Sequence, residues 1–181
     1  MKLDKIGFKN KNSPVSIEQI EELEFELKIS LPLQLKEFLL VCNGCRFQEV
    51  SISTSDCDFG EILEILSLEW VIGYRDTFKY EKDFFDSFHS SLNYNMYFKS
   101  NEYYNMFLPI TICSTCPDTY ISIGLDGIYK DKIYFVHAYW QEEPWCKSNI
   151  MGGRVFFLFN SFNEYIEEIM RLIDLKVSTE C

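Results

Sequence analysis

The chain of 181 residues has a formal net charge of −11, and 47% of its residues are hydrophobic and 17% aromatic. This length predicts a single domain, and so apolar a composition excludes an intrinsically disordered chain. The acidic charge argues against binding to nucleic acid, because affinity for phosphate requires basic side chains. The longest apolar runs are far too short to span a bilayer, and residues 1–13 lack the apolar core of a signal peptide. We therefore expect a cytoplasmic protein that binds neither nucleic acid nor membrane.

A first helix is predicted to begin after Ser16. Ser16 is a good N-cap, and Gln19, three residues later, completes a capping box. Four apolar residues then recur at near-helical spacing and form one predicted buried face: Ile17, Ile20, Leu23 and Leu27. Glu24 falls inside this stripe, where its carboxylate is expected to extend toward solvent or to accept backbone N–H groups. A catalytic carboxylate is the less favoured alternative.

A second helix is predicted from Pro32, because the missing N–H of proline costs nothing in a first helical turn. Its buried face is formed by four residues with helical spacing: Leu35, Phe38, Leu39 and Cys42. Asn43-Gly44 is predicted to end the helix, since Gly44 can adopt the left-handed conformation found after helix ends.

Residues 45–107 predict a strand, a helix and a loop, with one range in which helix and strand cannot be separated. Residues 45–59 alternate apolar and polar side chains and predict a first strand followed by an acidic turn. Residues 60–75 are so apolar that helix and strand cannot be distinguished by periodicity. Aromatic residues at helical spacing predict a helix over 76–92, and the Asn- and Tyr-rich residues 93–107 predict a loop.

The remaining residues predict strands and a final helix. Strands are predicted over 119–125, 132–140 and 154–159, and Ser161 with Glu164 forms a second capping box before an amphipathic helix. The connections are too short for crossover helices, so the sheet is mainly antiparallel. We predict an α+β fold in which a mainly antiparallel curved sheet is flanked by two N-terminal helices and one C-terminal helix. The predicted organisation is an N-terminal arm at 1–13, a single domain at 14–174 and a C-terminal tail at 175–181.

Four residue pairs in the helical region resemble the opening signature of the SUKH superfamily: Leu31-Pro32, Leu35-Lys36, Phe38-Leu39 and Asn43-Gly44. The segments 108–110 and 161–165 resemble later parts of the same pattern, whereas Cys45 stands where the family often has a second glycine. The superfamily includes fungal Smi/Knr cell-wall assembly regulators and many bacterial immunity proteins. The resemblance implies a binding protein without catalysis, and in bacteria an immunity protein that neutralises a polymorphic toxin, commonly a nuclease or another nucleic-acid-modifying enzyme. A regulatory scaffold for protein–protein interactions is the alternative.

The chain has seven cysteines, at positions 42, 45, 57, 113, 116, 146 and 181. An odd number without an export signal argues against a disulfide framework. Two C-x-x-C pairs, Cys42 with Cys45 and Cys113 with Cys116, could together hold a structural zinc ion. The pairs are far apart in sequence, and Cys42 already belongs to the buried helical face. We therefore predict no metal, with a zinc-binding module as a minor alternative.

Signals for catalysis or nucleotide binding are weak. The two histidines, His89 and His137, lie near no nucleophile elbow or metal-binding helix motif, and the glycines form no phosphate-binding loop. We predict no catalytic residues and no cofactor, so the chain is not expected to be an enzyme.

Two groups of residues are predicted to bind a partner, which would be the cognate basic protein toxin. The first group combines aromatic and acidic side chains in a predicted loop: Trp140, Glu142, Glu143 and Trp145. The second group is an acidic cluster: Asp56, Asp58, Glu61 and Glu64. Tryptophan is a frequent interface anchor, and carboxylates would steer a basic protein. The alternatives are that one or both rings cover the edge of the core and that the carboxylates form an ordinary solvated face.

Overall fold

The computed structural model describes residues 11–53, 58–71, 106–113, 119–137 and 155–179. These ranges contain the helices α1 (Ile17–Leu27), α2 (Leu33–Leu39) and α3 (Phe162–Thr179), together with a helical turn at 68–71. The strands are β1 (Cys45–Ser53), β2 (Asp58–Ile65), β3 (Phe107–Ile112), β4 (Thr119–Gly124), β5 (Ile133–His137) and β6 (Val155–Phe159). A 3-10 helix, Gly127–Tyr129, lies between β4 and β5.

The strands follow one another in chain order, and every pair of neighbours is antiparallel. β1 and β2 form a two-stranded ribbon, and β3 to β6 form a four-stranded sheet. The two parts meet where Ile62 and Cys113 form an isolated antiparallel bridge and the amide of Leu66 donates to the carbonyl of Ile110. Register shifts in three of the strand pairs bend the strands, as β-bulges do. The predicted α+β fold with a mainly antiparallel, curved sheet is confirmed.

The main hydrophobic core lies between the three helices and one face of the sheet. Phe38 of α2 is completely buried and meets Phe162 of α3 edge to face, with ring centroids 5.4 Å apart. The hydroxyl of Tyr165 on α3 is hydrogen-bonded to the side chain of Thr111 on β3 at 2.7 Å. Near its other end, α3 reaches β1 through a bond from Lys176 Nζ to the carbonyl of Glu49. The last helix therefore joins the N-terminal elements to the sheet.

The opposite face of the four-stranded sheet carries a smaller hydrophobic cluster of buried residues: Phe107, Tyr134, Val136 and Val155. The rings of Phe107, Tyr129 and Tyr134 lie within 5.3–5.6 Å of one another, mostly in tilted or edge-to-face geometry. Tyr134 and Val136 of β5 reach this second face because side chains alternate along a strand, so that successive residues lie on opposite faces.

Most of the predicted helical pattern is confirmed. Ser16 caps α1, and both hydrogen bonds of its capping box with Gln19 are present. The four residues predicted on the buried face of α2 are all buried. The prediction that Ile17 is buried is wrong, because the buried stripe of α1 is centred on Ile20 and Leu23 and Ile17 lies at its edge in the first turn. Ile17 is therefore 57% exposed.

Several boundaries differ from those predicted. Of the ambiguous residues 60–75, the structure describes 60–71, which contain the end of β2 and a helical turn at 68–71. Helix α2 ends at Leu39, so Gly44, although left-handed with φ 79°, lies beyond the helix end rather than directly after it. Helix α3 continues to Thr179, into the range predicted as a tail. The helix predicted over 76–92 and nearly all of the loop at 93–107 lie outside the described residues.

Candidate partner-binding surfaces

Asn43 and Gly44, which contribute to the superfamily resemblance, hold the chain that follows β2. The side-chain oxygen of Asn43 accepts a buried hydrogen bond from the amide of Leu68 at 2.8 Å. A Cβ atom on Gly44 would lie 2.5 Å from the amide nitrogen of Ser67, so only glycine allows this approach. Asn43 also donates to the carboxylate of Glu69, whose pKa is held below its ordinary value mainly by the Ser67 side chain and also by this bond. These contacts assign Asn43 and Gly44 to the architecture of the domain.

Glu24 lies on α1, and its side chain reaches the hinge that leads into α2. Its carboxylate accepts the backbone amide of Leu31 at 2.5 Å and forms an ion pair with Lys36 at 2.7 Å. The prediction that Glu24 accepts a backbone N–H is confirmed. Because its partners are the hinge and the next helix, this carboxylate connects the two helices directly.

The side chains of Cys42, Cys45 and Cys113 are buried, and none of the three forms a disulfide bond. Cys42 donates a hydrogen bond to the carbonyl of Gly44 at 3.1 Å. Burial raises the pKa of both Cys42 and Cys45, so these two thiols are poor sources of the thiolate that binds zinc. Within the described ranges, no group of three or more His, Cys, Asp or Glu side chains could hold a metal ion. Cys116 lies outside those ranges, so the expected absence of zinc stays a prediction.

The predicted acidic cluster lies partly on β2. Glu64 faces Arg46 of β1 and forms an ion pair with it at 2.9 Å. Farther along the ribbon, Glu61 is the cross-strand neighbour of Ser51, and Asp58 is that of Ser53. Between these polar pairs, Val50 and Ile62 are buried in the core. The structure thus brings Asp58, Glu61 and Glu64 onto one strand, with part of their charge balanced by Arg46.

The other predicted partner-binding residues are Asp56, Trp140, Glu142, Glu143 and Trp145. All five lie outside the described residues, so their place in the fold stays a prediction.

A different surface, on the outer side of α1 and α2, was not predicted from the sequence. The two helices run antiparallel, since the amide of Val15 donates to the carbonyl of Leu39 and Glu24 pairs with Lys36. Their outer side exposes several large apolar side chains, which are Ile17, Phe25, Leu33, Leu40 and Val41. Phe25 offered a signal in the sequence, because a helical wheel places it opposite the buried Ile20 and Leu23.

The described structure is an α+β domain whose antiparallel strands are covered on one face by helices. The chain belongs to the SMI1 / KNR4 family (SUKH-1), whose family model matches residues 14–168. No curated protein matches the chain significantly. None of the helices in the described ranges is both long enough and apolar enough to cross a membrane.

Proposed function

We propose that this protein is a cytoplasmic immunity protein that neutralises a polymorphic toxin by binding it directly, without catalysis and without a cofactor. The observation that carries this proposal is membership of the SUKH-1 family across residues 14–168. The toxin would be a nuclease or another nucleic-acid-modifying enzyme. Such an enzyme needs basic side chains to hold its phosphate-rich substrate.

The charge of the chain supports this mechanism. A net charge of −11 attracts a basic protein and repels nucleic acid. By covering the basic substrate-binding surface of the toxin, the bound protein would deny nucleic acid access to it. No chemical step is required, because neutralisation follows from occupancy alone.

The residues predicted from the sequence would contribute mainly to attraction. Asp58, Glu61 and Glu64 follow one another along β2, although Arg46 balances part of their charge. Exposed carboxylates at the rim of an interface generally raise the association rate more than they slow dissociation. Asp56 and residues 140–145 would also contact the toxin.

The test is protection against the toxin domain encoded beside this gene. Expression of that domain alone should stop growth, and co-expression of this protein should restore it. A catalytically inactive version of the domain should bind the purified protein with a defined stoichiometry in calorimetry. An unrelated toxin domain of equal basic charge is the control for non-specific attraction. The proposal fails if the adjacent domain neither binds nor is neutralised, or if the control domain binds equally well.

A regulatory scaffold is the alternative function, favoured by the match to a family model that is named for SMI1 and KNR4. A scaffold would bind a regulatory protein of the host without changing the toxicity of any neighbouring gene product. Deletion of this gene separates the two functions. An immunity protein is essential only when its toxin is present, whereas loss of a scaffold should change growth in the absence of the toxin.

A further inference from the structure

The outer side of the α1–α2 hairpin combines exposed apolar and acidic side chains in a regular pattern. In α1, Ile17, Glu21 and Phe25 are spaced by four residues and therefore lie along one stripe. In α2, Leu33, Glu37 and Leu40 are spaced by four and three residues and form a second stripe. We call these six residues the hairpin face.

All six residues of the two stripes are exposed to solvent. The buried residues of each helix point in the opposite direction, toward the sheet and α3. The ion pair between Glu24 and Lys36 bridges the two helices. The hairpin face therefore lies on two helices that are joined by a hydrogen-bonded hinge and one ion pair.

The apolar side chains of this face are unusually open to water. Phe25 is 87% exposed and Leu33 is 70% exposed. Exposed aromatic and aliphatic side chains grouped together on a small protein commonly mark a surface that another protein covers. Packing within the described fold gives no reason for Phe25 to be apolar, since it points away from the core.

The negative charge around these side chains favours a basic partner. Residues 16–42 contain six glutamates and two lysines, and one of these lysines, Lys36, is already paired with Glu24. A second copy of this chain would bring two acidic faces together, so self-association through this surface is disfavoured. A basic protein with an apolar centre would satisfy both the carboxylates and the apolar side chains.

We infer that the hairpin face is the docking surface for the basic toxin, with Phe25 and Leu40 as apolar anchors and Glu21 and Glu37 paired with basic side chains. This inference rests on the proposed immunity function and adds the place of contact. The anchors would govern dissociation, because buried apolar contacts are lost only when the complex opens. The glutamates would govern association at low salt.

The probe for the test is the catalytically inactive form of the toxin domain encoded beside this gene, and binding kinetics are measured by biolayer interferometry. The anchor variants are Phe25→Ser and Leu40→Ser. Each should weaken binding by about tenfold or more, chiefly through faster dissociation. The double variant Glu21→Lys/Glu37→Lys should lower the association rate constant at low salt by about tenfold and by much less at high salt.

Matched controls lie near the far end of α3. Leu175 is 50% exposed, comparable with the apolar residues of the hairpin face, and Asp174 beside it is an exposed carboxylate. Leu175→Ser and Asp174→Lys should bind the toxin domain like the wild type. Because all the substituted side chains are exposed, every variant should retain the wild-type circular dichroism spectrum and unfolding midpoint.

The outcomes separate this inference from the proposed function. If the wild-type protein does not bind the toxin domain, the immunity function fails and the inference fails with it. If the wild type binds and the hairpin variants bind equally well, the function stands and the docking surface lies elsewhere. If sedimentation shows a dimer that Phe25→Ser dissociates, a second copy occupies the face and the inference is overturned.

Discussion

Two phenylalanines on neighbouring helices show how position decides what a side chain does. Phe38 on α2 has no exposed surface and contacts Phe162, whereas Phe25 on α1 is almost entirely in water. Phe38→Ala should therefore lower the free energy of unfolding by about 3–5 kcal/mol, through lost burial and the cavity left behind. Phe25→Ala is the control and should change it by less than about 0.5 kcal/mol. Equilibrium denaturation measures both, and similar losses in the two variants would contradict the assigned faces.

Gly44 gives a second prediction at the scale of single residues. An alanine there would need a left-handed backbone, and its Cβ would lie 2.5 Å from the Ser67 amide nitrogen and 2.8 Å from the Ile65 carbonyl oxygen. Gly44→Ala should cost about 2–5 kcal/mol of stability from strain and steric overlap together.

Gly127 is the matched control for this substitution. It also has a positive φ, 58°, but a Cβ there would meet nothing within 4 Å. Gly127→Ala should cost only the conformational penalty of about 1 kcal/mol. Thermal unfolding of the two variants measures the difference. Equal shifts in the unfolding midpoint would show that the close approach of the chain to Gly44 does not add to the stability lost on substitution.

Single residues were predictable from the sequence where the interaction is local. Ser16 and Gln19 are three residues apart, so their capping box can be recognised without the fold. The role of Gly44 could not be recognised fully, because its close neighbours at 65–67 come from a distant part of the sequence. The exposure of Ile17 depends on which side of α1 the sheet and α2 cover, and periodicity alone does not supply that.

At the scale of elements, the α1–α2 hinge depends on one carboxylate. Glu24→Ala would leave the half-buried amide of Leu31 without its acceptor and would remove the partner of Lys36. We expect a loss of about 1–3 kcal/mol in the free energy of unfolding. Glu26→Ala, an exposed change in the same helix, is the control and should have little effect. Urea denaturation measures both, and an unchanged Glu24→Ala protein would contradict the hinge contact.

The contact between α3 and β3 leads to a further prediction. Burial raises the pKa of the Tyr165 hydroxyl, which stays protonated and hydrogen-bonded to Thr111. Tyr165→Phe leaves the Thr111 hydroxyl buried without this partner and should cost about 1–3 kcal/mol. Adding Thr111→Val should recover much of that loss, because both polar groups are then absent. A double-mutant cycle by chemical denaturation measures the coupling, and additive losses would show that the hydroxyls do not interact.

The order and type of most described elements could be predicted from periodicity and capping signals. The described residues 60–71 could not, because buried strands and buried helices are equally apolar and the amide of Leu68, at the start of the helical turn, binds Asn43, which is distant in sequence. The end of α3 was also missed. Its last turns lie partly over β1, where Lys176 finds the carbonyl of Glu49, and that contact is not local in sequence.

At the scale of the whole molecule, the net charge of −11 predicts the kinetics of partner binding. Association with the inactive toxin domain should be fast at low salt and should slow as salt is raised, while dissociation should change little. Stopped-flow mixing over a range of ionic strength measures this, with a neutral solute at equal osmolarity as the control. Association independent of salt would contradict electrostatic steering.

The candidate surfaces were less predictable than the fold. The acidic positions Asp58, Glu61 and Glu64 could be chosen from the sequence, but their cross-strand neighbours, Arg46 among them, could not, because strand register is a property of the folded sheet. The hairpin face was missed for a related reason. Its six residues alternate with buried ones, and which side of each helix stays exposed depends on how the helix packs in the fold.

The position of α3 also has a consequence during protein synthesis. The ribosome makes this helix after all the other described elements, yet its N-terminus contacts Gln34 of α2 and its far end contacts Glu49 of β1. Until α3 emerges, the nascent chain must keep the apolar side of α2 and the sheet uncovered, which exposes it to chaperones and proteases. A chain that stops before α3 should therefore be degraded rather than accumulate, so that only chains carrying this helix reach a partner.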